Sequence, residues 1–239
     1  SRREELRWIG NSNQGCRFSI EERRIMEYLH LVLSSSPMTA ETLSVLFDVS
    51  INTIFLDMKM LRLMLQEKGL VLANTGRGGY IVQGEEGNIR RLIGESYHSF
   101  STEYPRKTLY LLVQESLECL LGEDLDFFVL VFSAIRHFEQ QMNTKLLTVD
   151  INYLISMLLI VQVRNLKGFF LVMPSQEQEV LAQTQEYQAV QVVMEELQKS
   201  GFSLGKNELS YVTSLFLGAK NFDTTLPEME DSYIKKFTR

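Results

Sequence analysis

Cysteine is scarce in this 239-residue sequence. Only Cys16 and Cys119 occur, with no CxxC spacing and no His or Cys at a ligand interval. That excludes a disulfide framework and a cysteine-bound zinc site, and it fits a reducing, cytoplasmic setting. Histidine is as sparse: His30, His98 and His137 are scattered and form no Ser/His/Asp or Cys/His grouping. There is no GxGxxG and no P-loop. Gly76-Arg77-Gly78-Gly79 lacks the following Lys-Ser/Thr and helix start that a phosphate cradle needs. Glu123, Asp124 and Asp126 stand at a helix start, where capping accounts for them. The sequence therefore does not read as an enzyme, and no cofactor or metal is expected. Long apolar runs are also missing. The nearest approach, Tyr153 to Val163, is too short for a membrane span and ends in Arg164. There is no signal-peptide pattern. The chain starts at Ser1 without Met, which reads as a fragment of a longer protein.

A surplus of positive charge is absent as well. The formal net charge is −6. Residues 1–100 balance, with twelve Lys+Arg against twelve Asp+Glu, so the whole excess lies in residues 101–239. Phosphate neutralisation supplies much of the affinity for DNA, so the acidic half is not a nucleic-acid surface, and the neutral half has few cations to offer.

What is present is organised around Met38–Leu65. Thr39 is a good N-cap, and Ala40, Leu43, Val45 and Leu46 supply an apolar face. Asp48-Val49-Ser50 breaks the first helix, and Ser50 can cap a second. On that second helix Ile54, Met58, Leu61 and Leu65 recur on one face, while Ser50, Asn52, Thr53, Leu56 and Lys59 point elsewhere. This is the helix-turn-helix layout, in which small polar side chains at the start of the second helix reach base edges in a major groove. A supporting helix precedes it. Ser19 and Glu22 form a capping box, the helix runs through Ile25, Leu29 and Val32, and His30 in its last turn suits the helix dipole as a cation. After Gly69, Leu70–Ala73 and Tyr80–Val82 read as strands around the turn Asn74–Gly79. That hairpin is a wing, with Arg77 at its tip for a phosphate or a minor groove.

From Gly87 onward the periodicity is helical. Segments 88–100, 107–121, 126–142, 148–166, 176–199 (one helix or two) and 206–221 are separated by short polar breaks, which makes a bundle. The sequence thus predicts a mainly α protein: a linker over 1–15, a winged helix-turn-helix domain over 16–86, an all-helical domain over 87–225, and a tail over 226–239.

The run Val49-Ser50-Ile51-Asn52-Thr53-Ile54, with Asp57 and Leu61, followed by Gly79-Tyr80-Ile81-Val82-Gln83-Gly84-Glu85 and Arg90, resembles the second winged helix of BglG-type transcription activators, which the bacterial phosphotransferase system regulates. The more distant Mga-type virulence regulators share that architecture. The family pattern often carries Arg or Lys near positions 52 and 56, where this chain has Asn52 and Leu56. Val161–Gly168, with Arg164, and Glu208–Val212 followed by Phe216–Lys220 are similar to segments of a phosphotransferase regulation domain. The resemblance implies a regulator of sugar uptake, sugar metabolism or virulence genes, with phosphotransferase proteins among its partners. The family's phosphorylatable histidines fall at Met157 and Leu215 in this sequence, and neither side chain can accept a phosphoryl group.

The leading expectation is a regulator that binds double-stranded DNA through Ser50, Asn52, Thr53, Leu56, Lys59 and Arg77. The alternative is a protein-interaction module whose DNA reading is done by a domain outside this sequence. A homodimer is expected, because a reader with few cations gains from pairing two half-sites. The apolar runs Phe127–Phe132 and Phe169–Met173 also exceed one core stripe.

Overall fold

The computed structural model describes residues 18–34, 36–76, 78–100, 103–121, 127–203, 205 and 207–219. The expected linker 1–15, the tail 226–239, Cys16, Arg77 and the acidic cap at 123–126 lie outside the described residues. The chain is mostly helical, with ten helices and one three-stranded sheet among those residues.

Local chemistry sets the first helices. Helix α1 (Ile20–Leu33) opens on the capping box: the Ser19 hydroxyl accepts from the Glu22 amide at 3.1 Å, and the Glu22 carboxylate accepts from the Ser19 amide at 3.0 Å. A two-residue strand β1 (Met38–Thr39) leads into α2 (Ala40–Phe47), which Thr39 caps through the Thr42 amide. Asp48 takes the left-handed conformation (φ 51°) and ends α2. After the turn at 48–50, α3 (Ile51–Glu67) begins at its cap, Ser50. Gly69 (φ +71°) turns the chain into β2 (Val71–Asn74) and β3 (Gly79–Gln83), an antiparallel hairpin with Leu72 opposite Val82. Strand β1 pairs with the other edge of β3, so the sheet order is β1-β3-β2. A Cβ at residue 79 would stand 2.7 Å from the Pro37 Cβ, so glycine is required where the two edges close.

Seven helices follow: α4 (Glu86–Ser99), α5 (Glu103–Leu121), α6 (Phe127–Gln141), α7 (Thr148–Leu166), α8 (Ser175–Ala182), α9 (Gln185–Lys199) and α10 (Glu208–Gly218). One start differs from the sequence reading by several residues. Helix α5 takes in Pro105 instead of starting after it; in the first turn the missing N–H removes no helical hydrogen bond. The segment 176–199, which the sequence leaves open as one helix or two, is two, because Thr184 caps a new start by accepting from the Tyr187 amide at 3.2 Å. Helix α7 is apolar and long enough to cross a bilayer, yet 72% of it is buried inside the protein, as a core helix. A domain boundary is expected near residue 86. One cluster of buried side chains runs across it, from Met26, Leu29 and Leu61 to Leu158, Val193 and Phe216.

Candidate functional site

Helix α3 is held from behind by charge. Asp57 is buried on its inner face and accepts from Arg23 Nε and Arg24 Nε, both at 2.8 Å, across from α1. Glu27, one turn along α1, is fully buried beside this group, and neither carboxylate oxygen has a hydrogen-bond partner. Burial and then the charge of Asp57 push its carboxyl up to about 8. Arg23 and Arg24 are thus engaged within the fold. His30 differs from its expected role as a cation at the end of α1. Burial lowers its pKa to about 4, so the ring is neutral and packs edge-on against Phe47.

The outer side of α2 and α3 carries most of the residues expected to touch DNA. Ser50, Asn52, Leu56 and Lys59 are exposed, and Thr53 is half-buried. The Ser50 hydroxyl accepts from the Thr53 amide at 3.1 Å and lies 2.9 Å from the Thr53 hydroxyl, so capping occupies part of what these two could offer a ligand. Arg77 lies outside the described residues. Among the described residues of α2 and α3, Lys59 and the half-buried Arg62 are the cations, with Glu41, Asp48 and Glu67 exposed nearby in sequence. Lys68 is bound to Glu95 at 2.6 Å.

Around Leu56 the same face holds Phe55, Met60 and Leu63, which the sequence reading did not single out. Phe55, Leu56, Met60 and Leu63 form a stripe along α3, each between 45% and 65% exposed. Val45 and Leu46 on α2 are exposed too. The apolar face expected of α2 is therefore narrower: Ala40 and Leu43 are buried, but Val45 projects about 200° away from Leu43 around the helix. The signal for the stripe was in the sequence. Leu56, Met60 and Leu63 recur at helical spacing on the side opposite Ile54, Met58, Leu61 and Leu65, so α3 is apolar on two faces and only one is covered.

Elsewhere, Met157 is fully buried within α7 and Leu215 is buried on α10. His98 is exposed and stacks on Tyr153 at 4.4 Å between ring centres. His137 Nδ1 lies 2.8 Å from Glu196 Oε1. A cleft of about 340 Å³ after α6 is lined by Arg136, Glu139, Gln140, Asn143, Thr144 and Lys145. Among the described residues no group of three His, Cys, Asp or Glu is placed to hold a metal ion. No known family model matches the chain, and no curated protein is significantly similar to it.

Proposed function

We propose that this chain is a cytoplasmic transcription regulator in which residues 18–83 form a winged helix-turn-helix and the following helices form a regulatory and dimerisation part. The observation that carries this reading is the order α1-β1-α2-α3-β2-β3 with the strands arranged β1-β3-β2. The start of α3 is exposed beside a hairpin, an arrangement that suits entry of a helix into a DNA major groove. Asn52, Thr53 and Lys59 are then the polar contacts. Leu56 suits a thymine methyl group, and Arg77 belongs to the wing. A second copy of the chain supplies a second half-site, which offsets the small number of cations. Phosphotransferase proteins remain proposed partners by resemblance, with Met157 and Leu215 unable to take phosphate. Selection of bound sequences from a random duplex library tests the reading. A defined motif should emerge with the parent chain and degrade with Asn52→Ala/Thr53→Ala; recovery of no enriched sequence overturns it.

A second reading is favoured by the stripe of Phe55, Leu56, Met60 and Leu63. Exposed contiguous apolar side chains mark protein contacts more often than phosphate backbones. On that reading α3 docks another protein domain, and DNA is read elsewhere. Leu56→Glu would then abolish the protein contact without altering any DNA affinity.

A further inference from the structure

Charged side chains are buried where α4, α7 and α10 meet. Arg90 donates Nε to Glu86 at 2.7 Å, Nη1 to Glu208 at 2.5 Å, and Nη2 to the Asn165 side-chain oxygen at 3.1 Å and the Phe169 carbonyl at 3.2 Å. Arg164 donates Nε and Nη2 to the two oxygens of Glu86, at 3.0 and 2.6 Å. Arg90, Arg164 and Glu208 are each at most 3% exposed. Arg90, Arg164 and Glu208, far apart in the sequence, therefore meet in one cluster.

The cluster reaches out of the helical half in one direction. The remaining nitrogen of Arg164, Nη1, donates to the Val32 carbonyl at 2.7 Å. One turn further on, Lys167 donates to the carbonyls of Leu33 and Ser34. The Ser116 hydroxyl also reaches the Leu33 carbonyl, at 3.2 Å. These carbonyls end α1 and have no acceptor role inside that helix. The C-terminal end of α1 is thus capped by two cations, Arg164 in the last turn of α7 and Lys167 just past it, the charge sign that a helix C-terminus favours. The other end of α1 carries Arg23 and Arg24, which hold Asp57 of α3. A buried ionic cluster gives little net stability over apolar side chains of similar volume. It does fix one geometry, because each guanidinium is satisfied only in a narrow set of orientations.

We propose that α1 is a lever between the two halves. The end of α7 sets the position of α1 through Arg164 and Lys167, and the Asp57 clamp passes that position to α3, so that the helical half controls how α3 presents its outer face. This rests on the reading that α3 is the contact helix, whichever partner it meets. The coupling itself is measurable without any ligand.

Hydrogen exchange of the full chain, resolved by peptide, tests it. Lys167→Met should speed exchange in residues 51–67 as well as at the end of α1 by roughly fivefold or more, the low end of coupling between sites. Lys167→Arg should restore parental exchange. Arg136→Met, which removes a cation of α6 paired with Glu139, should leave α3 unchanged. In an Asp57→Asn background, adding Lys167→Met should give no further acceleration in α3, because the clamp is already cut. The lever is overturned if acceleration stops at α7 and the last turn of α1, if it spreads equally to every helix, or if the two substitutions act additively on α3. Should Asp57→Asn fail to fold, the Met and Arg variants at position 167 decide alone.

Discussion

Glu27 is a fully buried carboxyl group whose oxygens accept no hydrogen bond, with Arg23 Nε no closer than 3.9 Å, and its proton is a stability term. The folded chain holds that proton up to about pH 8, against an ordinary value of 4.5, because burial and Asp57 disfavour the charge. Between those values the folded state binds more protons than the unfolded one. The contribution is therefore complete below pH 4.5 and is lost as pH rises through 8. Glu27→Gln keeps the shape without the titration. It is expected to gain stability relative to the parent as pH rises from 5 to 8, because the parent loses the proton-linked contribution over that range and the amide does not titrate. It should also flatten the melting temperature measured from pH 5 to 8.5; parallel pH profiles for the two proteins would show that Glu27 is ionised throughout. Nothing in the sequence marks this residue. Ser19, Thr39 and Ser50 were legible because a cap bonds three residues ahead. Arg90, Arg164 and Glu208 were marked only as parts of the quoted motifs; their burial and pairing were not legible, since a charge on a helix reads as solvated and the partners lie far along the chain, 118 residues apart for Arg90 and Glu208.

At the scale of the element, α3 shows both what periodicity reveals and where it stops. The spacing of Ile54, Met58, Leu61 and Leu65 gave the covered face, and all four are buried. Periodicity tells which side chains share a face but not whether a neighbour covers it, so the exposure of the stripe from Phe55 to Leu63 emerged only from packing. The start of the helix is fixed by Ser50, and Ser50→Ala should cost about 0.5–2 kcal/mol through removal of the cap. Chemical denaturation would measure it, and an unchanged midpoint would mean that solvent caps the helix as well. For recognition, Asn52→Ala and Thr53→Ala should each lower discrimination between duplexes by about 1–3 kcal/mol for every base edge the side chain reads. Equal discrimination by the double variant would remove the start of α3 from base reading.

The whole molecule brings both expected dimer runs to a test. Phe127 and Val131 are buried, and Phe128 packs edge-on against Tyr110 and parallel to Phe132, so the first run belongs mainly to the bundle. In the second run Phe169, Phe170 and Val172 are exposed. A dimer contact is therefore expected at 169–172. Sedimentation at tens of micromolar should show a dimer that Phe170→Glu dissociates, whereas Phe128→Glu should act on stability; a monomeric parent chain would contradict this. The contact of α3 with DNA is decided most directly by affinity for a mixed-sequence duplex as salt rises from 50 to 200 mM. Two neutralised phosphates weaken binding about tenfold over that range, and more phosphates weaken it further. A fall of at least that size, reduced by Lys59→Ala, is the expected result. No binding at 50 mM salt, or binding that salt leaves unchanged, would contradict a DNA-reading role for α3.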